Sequence, residues 1–148
     1  MVDDPGDEVA IGILFDVLVA HERVGALLRV ILQPLGLTPS EYAVTSLLIT
    51  AGPRTHGAIG QRLGITRSTL SGLLTSLERK ELIERRPVED GRSALIMMTM
   101  SGRRLHRRAE RAVSRHWTER QDPKSIKETQ RRLTWLISRL EQAADDVR

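Results

Sequence analysis

Residues 55–100 read THGAIGQRLGITRSTLSGLLTSLERKELIERRPVEDGRSALIMMTM, and the order of parts in this stretch decides the fold. Thr55 can cap a short helix, His56 to Leu63, which Gly64 closes from the C′ position. Thr66 can cap a longer helix, Arg67 to Lys80, whose Leu70, Leu73, Leu74 and Leu77 turn inward. Ile83 to Val88 and Ser93 to Met100 are extended runs on either side of Glu89-Asp90-Gly91-Arg92, and Asp-Gly between such runs signals a hairpin. Helix, turn, helix, hairpin is the succession of a winged helix-turn-helix, a module that holds one helix in the major groove of DNA.

Outward from this core the chain is helical. From Glu8 to Leu32 the apolar residues Val9, Ile13, Val17, Ala20, Val24, Leu27 and Ile31 recur at spacings of three and four, and Leu14, Leu18, Leu28 and Leu32 widen the stripe. The pattern predicts one long helix buried on more than one side, stopped by Pro34 and Gly36. Thr38-Pro39-Ser40-Glu41 starts a further helix with a capping box, and Gly52-Pro53 ends it. Ser101 is expected to cap a helix running to about Arg120. Asp122-Pro123 opens the last helix, in which Ile126, Leu133, Leu140 and Val147 recur every seven residues, with Ile137 and Ala144 alternating. The fold expected is mainly α with a small β-hairpin wing. It forms one domain over residues 1–148, with a head at 37–100 and outer helices at 7–36 and 101–148. Those outer helices carry more apolar surface than the head can cover. A homodimer joined through Val9, Ile13, Val17, Ile126, Leu133, Ile137 and Leu140 satisfies them and brings two heads to one duplex. An intrachain helical layer is the alternative.

Charge supports the same reading. The chain of 148 residues carries a net +4 and has no cysteine. Residues 54–108 hold 12 Lys/Arg against 5 Asp/Glu, whereas the rest of the chain is net acidic. Positive charge thus gathers at the head, as attraction to phosphates requires. Without cysteine there is no disulfide, thiolate metal site or thiol switch. The acidic start (Asp3, Asp4, Asp7, Glu8) is unlike a secretory signal, and Asp16 interrupts the longest apolar run. These features point to a cytoplasmic protein with no membrane partner.

On the longer helix of the head, Arg67, Ser68, Ser71, Gly72, Thr75 and Arg79 lie away from the leucines. Ser68, Ser71, Gly72 and Thr75 make a face without bulk, over which a helix backbone can come close to a groove floor. The hydroxyls of Ser68, Thr69 and Ser71 can bond phosphates or base edges. Arg67 suits a guanine or a phosphate, and the helix start at Thr66 favours a phosphate. The plainer reading is that these small residues only solubilise the face. Against it, a mid-helix glycine costs about 1 kcal/mol relative to alanine. In the hairpin, Arg92 at the tip can enter the minor groove, Asp90 can hold its guanidinium or brace the turn, and Arg85 and Arg86 are expected on phosphates. A mere exposed Asp90–Arg92 ion pair, worth at most about 1 kcal/mol, is the alternative there. Arg103, Arg104, Arg107, Arg108 and Arg111 cover one side of the next helix, as backbone contacts or as a solvated face.

The span from Leu37 to Leu105 resembles the MarR (multiple antibiotic resistance regulator) family of bacterial winged-helix repressors. The resemblance is carried by LTPSEYAVTSLL, GAIGQRLGITRSTLSGLLTSLERKELIERR, the wing DGRS and LIMMTMSGRRL. It implies an obligate homodimer joined by its terminal helices, the longer head helix in the major groove and the wing in the minor groove. It also implies a pocket where small aromatic or phenolic effectors relieve repression, although no residue here marks that pocket. Many family members carry Arg or Lys where this chain has Gly72. Specificity then leans on Arg67, the small hydroxyls and DNA shape. The lack of cysteine removes the thiol oxidation used by the peroxide-sensing branch.

An enzyme is disfavoured, since GxSxG, HExxH, Gly-rich phosphate loops and paired Cys are all missing and the four histidines are dispersed. No metal or cofactor is expected. Trp117 and Trp135 read as core or dimer contacts before ligand contacts. The function expected is a sequence-specific regulator of transcription, a repressor on a pseudo-palindromic operator. A winged helix used for protein interaction, or for non-specific DNA binding, is the alternative.

Overall fold

The computed structural model describes the backbone of residues 5–88 and 93–147, with side chains from residue 12 onward. Asp90 and Arg92 lie outside the described residues, and so does the side chain of Val9. The elements are α1 (Pro5–Leu32), α2 (Pro39–Ala51), β1 (Arg54–Thr55), α3 (His56–Leu63), α4 (Arg67–Arg79), β2 (Ile83–Pro87), β3 (Ala94–Met98), α5 (Met100–His116) and α6 (Pro123–Asp146). Single 3-10 turns follow α1 at Gln33–Leu35 and α5 at Thr118–Arg120. The chain divides into two compact units, residues 1–110 and 111–148.

Local chemistry sets the ends of the helices. Thr38 and Glu41 form the full capping box of α2, each side chain bonded to the other's backbone N–H. Thr55 accepts from the Ala58 N–H at 3.3 Å, and Gly64 closes α3 at φ 65°. Thr66 accepts from Thr69 N–H, and Asp122 caps α6 through Ser125 N–H. α4 ends differently. Glu81 takes the left-handed conformation at φ 59°, where glycine is usual, and the N–H of Leu82 reaches back to the Leu77 carbonyl at 3.0 Å.

The sheet is antiparallel in the order β1-β3-β2, with Ile83 opposite Met98 and Arg54 opposite Ile96. Two-residue β1 is absent from the sequence reading, since nothing local distinguishes Arg54-Thr55 from a loop. The start of α5 is also corrected. Thr99, not Ser101, is its cap: Thr99 Oγ1 accepts from Gly102 N–H at 2.9 Å and donates to the Glu81 carbonyl at 2.7 Å. α5 then stops at His116, short of the expected Arg120.

The core of the first unit is aliphatic. Leu32, Leu48, Ile59, Leu70, Leu74 and Leu77 are fully buried, while Leu73 is only half-buried. Two polar groups enter this core. Glu41, 2% exposed, accepts from Lys80 Nζ at 2.7 and 2.8 Å and from Ser76 Oγ at 2.7 Å. Burial pushes its carboxyl upward, but Lys80, the Thr38 N–H and Ser76 outweigh this and hold it below the usual carboxylate range. His106 stacks on Tyr42 with ring centroids 5.3 Å apart, and its Nδ1 lies 3.1 Å from Thr45 Oγ1. The Thr45 hydroxyl already donates to the Tyr42 carbonyl. The imidazole must therefore donate from Nδ1. Burial pushes His106 below its ordinary value, against the opposing pull of Glu110.

The outer helices do not bury their apolar stripes. The expected burial of α1 on more than one side is absent within a single chain: Ile13, Leu14, Phe15, Leu18 and Val30 are exposed and Val17 is half-buried. On α6, Leu133, Trp135, Ile137 and Leu140 are exposed and Ile126 is half-buried, and Trp117 is exposed as well. Among the described residues no helix is long and apolar enough to cross a membrane.

Two outcomes follow from this packing. A Cβ on Gly102 would collide with the Leu82 carbonyl, where α5 crosses the entry to β2. Gly102→Ala should lower stability by about 3 kcal/mol in urea unfolding, the cost of forcing backbone apart in a packed core. The unfolded chain protonates His106 before the folded chain does. Stability assigned to this residue is therefore complete above the ordinary histidine range and falls as pH drops through and below it. His106→Asn keeps an N–H for Thr45 and should reduce the loss of melting temperature between about pH 7 and pH 5.

Candidate nucleic-acid interface

The turn between α3 and α4 is set by Gly64 and by Ile65, whose N–H bonds the Gly60 carbonyl at 3.2 Å. It sends α4 off with Leu70, Leu74 and Leu77 inward and the opposite side free. Thr66, Arg67, Ser68, Thr69, Ser71, Gly72, Thr75 and Arg79 are all exposed. Ser68, Gly72, Thr75 and Arg79 run along the side opposite the leucines, and Ser71 lies at its edge next to α3. A Cβ built on Gly72 would meet nothing within 4 Å. Packing among the described residues therefore gives no reason for a glycine there.

The hydroxyls of this face are ordered by the helix itself. Ser71 Oγ donates to the Arg67 carbonyl and Thr75 Oγ1 to the Ser71 carbonyl, both at 2.9 Å. Thr66 Oγ1 donates to Thr69 Oγ1 at 2.9 Å and lies 3.2 Å from Ser68 Oγ. A groove of about 640 Å³ runs from the start of α3 along α4 to the wing strands, lined by His56, Gly60, Gln61, Arg67, Ser71, Arg85 and Ile96 among others.

The cations divide into two groups. Arg85 Nε and Nη2 clasp Glu78 at 2.7 and 3.1 Å, and Arg86 bonds Glu84 at 3.0 Å. These two arginines, expected on phosphates, thus already have carboxylate partners. Among the described residues Arg67 and Arg79 have no acidic partner. Arg67, Ser71 and Arg85 share the groove, whereas Arg86 is not part of its lining.

Sequence reasoning missed His56. Its Nε2 lies 3.1 Å from Ser71 Oγ, across the groove from one helix to the next. No spacing rule links a residue in the first turn of one helix to a serine fifteen positions later. The Glu41–Lys80 pair was missed for the same reason.

Residues 35–93, which hold α2 to α4 and the wing strand β2, match the MarR family profile. Over that segment the winged-helix head is similar to the MarR family. This is a family of DNA-binding transcriptional regulators. The chain is 29% identical over 97 residues to the homoprotocatechuate degradative operon repressor of Escherichia coli, and the match covers 65% of this chain and 66% of that repressor. The MarR fold extends beyond the matched segment. The transcriptional repressor CouR, bound to a 23-mer DNA duplex, is similar at TM-score 0.73 and 24% identity, over 94% of this chain and 99% of its own. NadR in complex with 4-hydroxyphenylacetate is similar at TM-score 0.73 and 23% identity, over 87% of this chain and 92% of its own.

Proposed function

We propose that the chain is a homodimeric, sequence-specific repressor that binds a pseudo-palindromic operator in double-stranded DNA. The observation that carries this reading is the free side of α4. Small residues and a glycine that meets no neighbour among the described residues lie there between Arg67 and Arg79, which have no acidic partner among those residues. A helix built this way can sit deep in a major groove and hold phosphates at both ends. The net charge of residues 54–108 supports it. The wing reaches the minor groove, where Arg92 and Asp90 act, while Arg85 and Arg86 exchange carboxylates for phosphates.

Dimerisation rests on the apolar sides that α1 and α6 leave exposed. Val9, Ile13 and Val17 of residues 7–36, and Ile126, Leu133, Ile137 and Leu140 of residues 101–148, cover one another between two copies. The heads, residues 37–100, then meet half-sites about one helical turn apart. A small phenolic compound releases the repressor. This part is supported by the E. coli relative, named for repressing a homoprotocatechuate operon, and by the NadR complex.

Fluorescence anisotropy on a duplex from upstream of the protein's own gene, against a shuffled duplex, tests the reading. Preference for the upstream duplex by about a thousandfold is expected. It should collapse on adding 4-hydroxyphenylacetate or homoprotocatechuate. Equal, steeply salt-dependent binding to both duplexes would mean a non-specific binder, and no binding at low salt would mean a protein-interaction module. Gly72→Ala gives a second check. The variant should gain about 0.5–1 kcal/mol of stability from helix propensity yet bind the operator about tenfold more weakly.

A further inference from the structure

We propose that Ser71 and Thr75 act as hydrogen-bond acceptors only, and that they select adenine or cytosine over guanine or thymine at two positions of each half-site. The inference deepens the DNA-binding reading above and rests on it. Its basis is a count of protons. A hydroxyl has one proton and two lone pairs. Thr75 Oγ1 has placed its proton on the Ser71 carbonyl, and Ser71 Oγ has placed its own on the Arg67 carbonyl. What each presents outward is therefore a lone pair.

His56 completes the arrangement at Ser71. Because the serine proton is already engaged, the contact between His56 Nε2 and Ser71 Oγ runs from ring N–H to hydroxyl oxygen. His56 takes one lone pair, fixes the other outward, and acts as a positioning residue. The first turn of α4 has the opposite character. Thr69 Oγ1 accepts from Thr66 Oγ1, its own proton meets no acceptor among the described residues, and it stands two residues from Arg67. Donors at the start of the helix suit phosphate oxygens, and acceptors in its middle do not.

In the major groove each base pair carries one amino group. Adenine and cytosine present it where thymine and guanine present a keto oxygen. An acceptor-only side chain aligned with one strand therefore separates amino bases from keto bases without telling adenine from cytosine. Ser71 and Thr75 are one helical turn apart, a rise of about 6 Å. That spans about two base-pair steps. Both side chains are short, so they reach base edges only if the helix lies close to the groove floor, which Gly72 between them allows.

Selection of bound duplexes from a randomised library with the wild-type protein, then with Thr75→Val and Ser71→Ala, tests this. Both substitutions fall on exposed positions, and circular dichroism verifies folding. The wild-type motif should contain two amino-base positions per half-site. Each variant should lose the preference at one of them and keep the rest of the motif. As a check that needs no variant, the amino base at either position is replaced by its deamino analogue, purine or pyrimidin-2-one. Wild-type affinity should drop about threefold to tenfold. Thr75→Val should be insensitive at the Thr75 position. An enriched motif whose base preferences survive both substitutions, or a wild-type protein indifferent to the deamino analogues, overturns the inference while leaving sequence-specific binding intact. A library with no enriched motif overturns both.

Discussion

Glu41 is the point on which the head is built. A carboxylate at 2% exposure is costly unless its lone pairs are filled, and here four donor contacts fill them: the Thr38 N–H, Ser76 Oγ and two from Lys80 Nζ. Lys80 also donates to the Gly36 carbonyl at 2.8 Å. One acidic side chain thus joins the entry to α2, the body of α4 and the residue that ends α4. Leucine packing alone fixes which side of α4 is inward. The ion pair adds a fixed axial position, because Ser76 and Lys80 reach the same oxygen only at one register along the helix. The free face of α4 is thereby aimed by a bond made on its other side.

The parts of the fold legible in the sequence are those decided within a few residues. Thr38, Thr55, Thr66 and Asp122 each cap the helix that their position announces, and Gly64 closes α3, because these bonds span about one turn. The illegible parts are decided at a distance. Strand β1 exists because Arg54 and Thr55 find Ile96 and Leu95 some forty residues later. Ser101 is the cap expected from the sequence, and the Glu81 carbonyl, offered by a left-handed turn after α4, draws the cap to Thr99 instead. The residues expected on the outer side of α4 are exposed, but the hydrogen-bond polarity of that side is hidden in the sequence. That polarity depends on where each hydroxyl proton goes, and on a histidine from another helix.

The charge of the head is likewise less uniform than composition suggests. Of its arginines, Arg85 and Arg86 are held by Glu78 and Glu84, whereas Arg67 and Arg79, at the two ends of α4, have no acidic partner among the described residues. The Glu78–Arg85 contact joins α4 to the first wing strand with two parallel bonds, so helix and strand hold one angle to each other. Attraction to a polyanion comes from the whole positive field.

The joint at the start of α5 has a mechanical consequence. Thr99 is bonded through its hydroxyl to both Glu81 and Gly102, its N–H holds the Leu82 carbonyl at 3.1 Å, and Gly102 lies directly against that carbonyl. No slack separates the last residue of β3 from the first turn of α5. A shift of that turn by even part of an ångström has to be taken up by the central strand of the sheet, which is one side of the wing. Strand β3 and the first turn of α5 therefore behave as one piece, joined at Thr99.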